Sequence, residues 1–453
     1  MSDGNTGFMP RKTLSVFDVV AIIVGIVLGS GIFKLPGMVA ANSANETIFL
    51  LTWVAGGIMS ILGALCYAEL ASTYPNAGGD YYFIHRAYGR GMSFLFAWAR
   101  MSVIQTGSIA FLGFFIGDYM TEVYSLGVYS PSIYAVITIV GLTVINLFGI
   151  KQGKWAQNLF TATIITGLLI VIGIGFGGSA EAAVPASGGP QTMSGLGMAM
   201  VFVLLAYGGW NESAYVSAEI KDPEKNIIRS LVIGLTVVTI VYLLVNWSYL
   251  RVLGLGGMAN SRNVALDLVK NAIGPAFVPF LTFCVVFAVL STMNATIISG
   301  ARSNYALGRD FKVFSFIGKW NEEGGTPVMA LVIQAVIGIA LVITGNAIDV
   351  KTGFETMVAY TTPVFWFFFF LAGVSVFVLR KKDSSTPRVF SVPLYPVTPL
   401  LFCLIGIYMF WSGINYIMLL PKIGLYSGVG AAIGVVVLLA GIPLYFVNTR
   451  ISK

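Results

Sequence analysis

The chain has 453 residues, of which 57% are hydrophobic and only 10% charged, and its mean hydropathy is +0.86. Soluble domains carry about 25% charged residues, so these values exclude a soluble globular protein and mark a polytopic membrane protein. The net charge of +7 would suit nucleic acid if it formed one basic soluble face. Here the basic residues fall in short loops between apolar runs, so no nucleic-acid partner is expected.

Taken in chain order, segments long enough to cross about 30 Å of hydrocarbon as helices run at roughly 16–40, 48–73, 91–120, 132–150, 156–178 and 196–219. A second set follows at roughly 229–252, 275–308, 328–345, 353–380, 394–419 and 425–447. The sequence therefore predicts an all-α polytopic membrane protein with twelve transmembrane helices. A polar stretch precedes the first apolar run, which is too long for the core of a cleavable signal peptide, so that run is expected to stay in the membrane. With a cytoplasmic N-terminus, one side holds eighteen basic residues, from Arg11 and Lys12 to Arg450 and Lys453. The other side holds five: Arg251, Arg262, Lys270, Lys351 and Lys422. The positive-inside rule then predicts a multi-pass protein of the cell membrane with both termini cytoplasmic.

No polar stretch is long enough to bury a core of its own, so a separate soluble domain is not expected. Cys66, Cys284 and Cys403 all lie within apolar spans, which argues for buried small hydrophobes and against a disulfide framework or a zinc site. The lone His85 sits between spans two and three and reads as a solvated or loop-packing residue. No metal and no cofactor are expected, and no constellation of catalytic side chains supports an enzyme.

Span one carries a glycine-rich break near its middle, Val24-Gly25-Ile26-Val27-Leu28-Gly29-Ser30-Gly31-Ile32-Phe33, and span six a second, Leu205-Ala206-Tyr207-Gly208-Gly209-Trp210. Hydrocarbon offers no hydrogen bonds, so backbone freed at membrane depth survives only where it lines a cavity or binds something. Unwinding at Gly29 to Gly31 frees the N–H groups of Ser30, Gly31 and Ile32 at the start of a new half-helix, and these suit a carboxylate. Span six runs in the opposite direction, so its break frees carbonyls near Leu205, Ala206 and Gly208, which suit an ammonium group. Facing donors and acceptors describe a site for a zwitterion.

Glycine-rich runs in membrane helices more often serve close packing than ligand binding. The matched second break tips that balance toward a site, because paired interrupted helices in corresponding halves mark a transporter's substrate position. Gly56, Gly57 and Gly63 of span two have no matching break and read as packing positions. The pairing of spans one and six divides the chain into a first repeat at 1–178 (helices one to five) and a second at 179–380 (helices six to ten). Helices eleven and twelve and the tail, 381–453, are appended.

Several motifs occur in order along nearly the whole chain. They are Val20 to Gly25 leading into Gly29-Ser30-Gly31-Ile32-Phe33, Gly63 to Leu70, and Gly78-Gly79-Asp80-Tyr81. Ala206 to Asn211 continues through Glu219 to Asn226, followed by Asn294 to Arg302 and the passage from Leu379 to Pro396. In these the chain resembles the amino acid–polyamine–organocation superfamily, and within it the L-type amino acid transporters and their bacterial relatives. The resemblance implies a LeuT-type five-plus-five inverted repeat with discontinuous helices one and six, moving amino acids by alternating access. It puts the α-carboxylate at the backbone of Ser30 and Gly31, flanked by Gly29 and Ile32. The α-amino group falls to carbonyls near Val27, Leu205, Ala206 and Gly208.

Two positions depart from the family pattern. Leu205 stands where these transporters often carry an aromatic gate, and Ile164 where related ones place a lysine in span five. Without that ammonium, either Ser291, Thr292 and nearby carbonyls help bind a sodium ion, or helix one is held by neutral hydrogen bonds and cargo is exchanged without an ion. Exchange is the preferred reading, with a proton- or sodium-coupled symporter and a polyamine or cationic amino acid carrier as alternatives. Four ionisable residues, Glu69, Arg100, Glu212 and Arg302, stand inside spans and are suspected of function. Glu69 and Arg302 lie toward the cytoplasmic ends of their spans and suit an inner-gate ion pair or simple snorkelling rather than substrate contact. Glu212, one turn past the second break, reads first as a partner of Arg100 or of a polar neighbour, and otherwise, if it faces the cavity, as a group that carries a coupling proton or attracts a cationic cargo. With no other counter-charge near the breaks, a neutral amino acid is the expected cargo. The loop from Thr121 to Pro131 contains no cysteine, so no disulfide-linked accessory subunit is expected. Asn45-Glu46-Thr47 matches a glycosylation sequon.

Overall fold

The computed structural model describes residues 15–76, 78–149, 154–177, 192–211, 221–321, 325–419 and 428–451. Among these the chain is helical throughout apart from one isolated bridge between Asn321 and Thr326. Among the described residues nine helices are long and apolar enough to cross a membrane: Glu46–Thr73, Arg90–Val123, Ser130–Leu147, Lys225–Asn260, Pro275–Asp310, Val328–Ile348, Gly353–Lys382, Val397–Asn415 and Gly428–Ile451. Three shorter apolar helices, Val16–Val27, Ala162–Gly177 and Gly195–Ala206, fall in predicted spans one, five and six. The two predicted to be interrupted are therefore among the short ones.

Helix starts follow local chemistry. Ser15 and Asp18 form a reciprocal capping box ahead of Val16–Val27, satisfying donors that a first turn leaves orphaned. Asn45 accepts from the Ile48 N–H at 2.9 Å and caps the second span, so the sequon asparagine serves as a helix cap. His85 lies in a helix, Asp80–Tyr88, rather than an irregular loop. Its Nδ1 is 3.0 Å from Ser93 Oγ.

Span two receives span six along its small residues. A Cβ on Gly56 would stand 2.3 Å from Val203 Cγ1, and one on Gly63 would stand 2.5 Å from the Trp210 ring. These glycines are close-packing positions, as in other membrane helix pairs. A second group of helices is joined by amides around the eighth span, Val278–Asp310. Asn146 of span four donates to Asn294 at 2.6 Å, Gln105 of span three donates to the Thr296 carbonyl at 2.9 Å, and Gln334 of span nine donates to the Ile297 carbonyl at 3.0 Å. Each of these three amides finds a partner on the eighth span, as polar groups inside a bilayer generally do. The three cysteines are free and buried.

Candidate functional site

The first break begins one residue earlier than the sequence predicts. Val16–Val27 ends with Leu28 outside the helical region, and Gly29 is extended at φ −94°, ψ 177°. A single 3₁₀ turn, Ser30–Phe33, follows, and a short helix, Leu35–Ala41, carries the chain onward. The N–H groups of Ser30, Gly31 and Ile32 head this turn, in the position where helical donors lack partners.

The second break is a tight turn at Tyr207, Gly208 and Gly209 after Met193–Ala206, and helix resumes at Trp210. Gly209 has φ 100°, a left-handed conformation that an L side chain resists. A Cβ there would also stand 2.7 Å from Ile26 Cγ2. The two breaks face each other directly, because a Cβ on Gly31 would meet Ala206 Cα at 3.4 Å and Leu35 Cδ1 at 3.0 Å.

One side chain touches both breaks. The Tyr242 hydroxyl, from the seventh span, lies 2.8 Å from the Val27 carbonyl and 2.8 Å from the Ala206 carbonyl. It has a single proton to donate, so it serves one carbonyl at a time and leaves the other underused. The remaining carbonyls of the expected ammonium set differ in state: the Leu205 oxygen already accepts from the Gly208 N–H at 3.1 Å, and Val27 also accepts from Gly29 at 2.7 Å. Each carbonyl oxygen retains a second lone pair. Phe49, Trp53, Tyr207 and Tyr242 stack edge to face behind this point.

Burial divides sharply across the breaks. On one side Ser30, Ile32, Phe33, Lys34 and Leu35 are all buried. The Phe33 carbonyl accepts from Tyr119 at 2.7 Å, and the Ile32 carbonyl from Tyr249 at 3.3 Å. On the other side Gly25, Ile26 (37%) and Gly208 are exposed. Leu205 and Ile164 are half-buried against the core, and Gly167, one turn beyond Ile164, packs on the Phe33 ring. Ser291 is half-buried and Thr292 exposed, the latter donating to its own helix at Ala288 (3.2 Å). Glu212 lies outside the described residues.

The other ionisable residues have distinct fates. Glu69 is buried and accepts from Arg380 through two nitrogens and from the Val392 N–H, with Arg388 at 3.5 Å. Arg302 is exposed. Arg100 sits at the start of a π-helical turn, Arg100–Ile104, with Nη2 3.4 Å from Ser299 Oγ and a buried Nε lacking a partner among the described residues.

Sequence reasoning missed a buried charge cluster one residue past the first break. Lys34 Nζ is 2.7 Å from Asp118 of span three, their side chains 1% and 5% exposed, and Arg262 Nη2 is 3.2 Å from the other Asp118 oxygen. The signal was available, since both Lys34 and Asp118 fall inside predicted spans, where ionisable residues are functional candidates. Tyr242 and Tyr249 gave a weaker one, seven residues apart on one helical face. Among the described residues no group of His, Cys, Asp and Glu could hold a metal ion.

Comparison with known proteins fits this geometry. Residues 14–447 match the family model described as amino acid permease. The chain is 28% identical over 410 residues to the mouse (Mus musculus) b(0,+)-type amino acid transporter 1, covering 88% of this chain and 82% of that protein. It is 25% identical over 443 residues, 96% of both chains, to the serine/threonine exchanger SteT of Bacillus subtilis (strain 168). It is also 26% identical over 462 residues to the mouse large neutral amino acids transporter small subunit 2, covering 99% of this chain and 83% of that one. A pair of facing main-chain breaks inside an apolar helical bundle is thus carried by a membrane permease and not an enzyme, and the chain belongs to the amino acid permease family.

Proposed function

We propose that the chain exchanges neutral amino acids across the cell membrane by alternating access. The carrying observation is the pairing of two interrupted helices, donors at Ser30, Gly31 and Ile32 opposite carbonyls at Val27 and Ala206, with one tyrosine hydroxyl shared between the carbonyls. A zwitterion presents a carboxylate to such donors and an ammonium to such carbonyls. Its ammonium brings three protons to acceptors that Tyr242 can serve only in turn. Relatives named as a serine/threonine exchanger and a neutral amino acid transporter subunit support exchange and an uncharged side chain.

In this reading the nine long and three short apolar helices are twelve spans arranged as the 1–178 and 179–380 repeats plus 381–453, with a LeuT-type fold. Both termini are cytoplasmic by the charge count, so the Asp118 cluster is extracellular and the Glu69 cluster cytoplasmic. The conformation is closed outside and accessible inside, since the exposed residues at the breaks are Gly25, Ile26 and Gly208. Ile164 supplies no charge to anchor helix one, which favours exchange without an ion. Ser291, Thr292 and Glu212 are the residues through which coupling would act if it existed. No disulfide-linked accessory chain is required.

The test is a proteoliposome panel with labelled neutral amino acids outside and lumens either empty or loaded with unlabelled cargo. Uptake only into loaded vesicles is expected. Accumulation in empty vesicles driven by a proton or sodium gradient would overturn exchange in favour of symport.

A further inference from the structure

We propose that Lys34 and Asp118 form a latch that locks the outer half of the first broken helix against span three, with Arg262 as its solvent-side release. The proposal rests on the transport reading above and adds to it the device that seals the outer face.

Four separate elements meet around the Lys34–Asp118 pair, three of them at the carboxylate itself. Lys34 is the residue between the 3₁₀ turn Ser30–Phe33 and the helix Leu35–Ala41, so its ammonium moves with the main chain that offers donors to the cargo. Asp118 belongs to the far end of span three. Arg262 lies in the link from span seven to the short helix Val264–Ala272, and its guanidinium also donates to the Lys351 carbonyl at 2.9 Å, just ahead of span ten. Lys34 Nζ reaches the Arg262 carbonyl and Asn263 Oδ1, both at 3.4 Å, and Asn263 donates to the Asp118 carbonyl at 3.3 Å. The rings of Phe115 and Phe354 stand 5.7 and 5.1 Å from the ammonium. Glu355 completes the charged surroundings from span ten.

The physics of such a pair is two-sided. While the cluster is dry, separating Lys34 from Asp118 strands two charges in a medium that solvates them poorly, so the contact holds. Opening the outer face admits water, which hydrates both ions and removes most of that penalty. The pair therefore favours a fully shut or a fully wetted outer face over any partly opened one. Arg262, whose side chain is 49% exposed, is the member that water and salt reach first. Its loss lowers the charge holding Asp118 in place without emptying the buried pair.

Backbone hydrogen–deuterium exchange of the full chain in lipid nanodiscs tests this without any cargo, so its outcome is independent of whether the transport assay succeeds. In Asp118→Asn, exchange in Leu35–Ala41 and Val264–Ala272 is expected to rise about tenfold, with the cytoplasmic helix Asp80–Tyr88 unchanged. Arg262→Gln, at a half-exposed site that tolerates change, is expected to raise the same two segments about threefold, and it carries the test if the first variant does not fold. Unchanged exchange in those segments, or an equal rise over the whole chain, would overturn the latch and leave the cluster as a structural ion pair.

Discussion

A buried carboxylate with two cations stands on each side of the paired breaks, yet the two clusters hold different things. On the proposed outer side, Asp118 grips Lys34, which rides on the broken helix itself, and the phenols of Tyr119 and Tyr249 tie the Phe33 and Ile32 carbonyls beside it. On the proposed inner side, Glu69 grips Arg380, Arg388 and the Val392 N–H, all from span ten and the loop behind it. The inner half of the first helix is meanwhile left with Gly25 and Ile26 exposed. The same ionic inventory thus ties down part of the broken helix itself in one cluster, and joins two unbroken spans, two and ten, in the other.

The largest effect is expected between the clusters, at the breaks they flank. Gly31→Val places two methyl groups where even a Cβ meets Leu35 Cδ1 at 3.0 Å and Ala206 Cα at 3.4 Å. Binding of neutral amino acids should fall below detection in a scintillation proximity assay, while the purified variant keeps its helical circular dichroism. An unchanged affinity would remove the proposed carboxylate position.

Next in size is Glu69→Gln, which leaves two partly buried arginines without their anion. A loss of about 3 kcal/mol in stability is expected, read as a lower unfolding midpoint in detergent, with no change in exchange at Leu35–Ala41. If that outer segment loosened as well, the division between the two clusters would fail.

The breaks, the helix order and the packing glycines of span two were legible in the sequence because they are written in local composition: glycine where chain must bend or approach, apolar runs where it must cross. The outer cluster was less legible for a physical reason. Lys34, Asp118 and Arg262 are 84 and 144 residues apart in succession, and only the tertiary fold brings a lysine in one apolar run against an aspartate in another. Tyr242 was invisible in the same way: nothing local separates a phenol that faces a break carbonyl from one that faces lipid. Ile164 and the side chain of Leu205, unlike the Leu205 carbonyl, could be named only as departures from a family pattern, and both pack half-buried against the apolar core.

Tyr242→Phe probes the breaks more gently. Removing the hydroxyl leaves the Val27 and Ala206 carbonyls without that donor in the empty protein, a cost of about 1–2 kcal/mol. The ammonium of a bound amino acid would restore what was lost. The variant should therefore be less stable than the parent when empty, and saturating cargo should raise its unfolding temperature by more than it raises the parent's. A smaller ligand-induced rise would show that the hydroxyl assists the ammonium rather than standing in for it.

The smallest effect is expected at the rim of the inner side, where Asp383 accepts from Arg86 Nε at 2.7 Å and from the Tyr74 hydroxyl at 3.1 Å. The Arg86 hydrogen bond, followed by that of Tyr74, holds the Asp383 carboxyl below its ordinary value, while burial and then Asp383 itself push the Tyr74 phenol up. A depressed carboxyl contributes stability that is present above its unfolded value, about 3.9, and is lost as the pH falls through its lower folded value. Since the pair is partly exposed and screened by solvent, Asp383→Asn should cost no more than about 1 kcal/mol at pH 7. The gap between variant and parent should shrink as the pH is lowered below about 4, measured as the difference in unfolding midpoint across a pH series. A gap that instead widened in acid would mean that the Asp383 proton is bound more tightly in the folded protein, contrary to the geometry of its two donors.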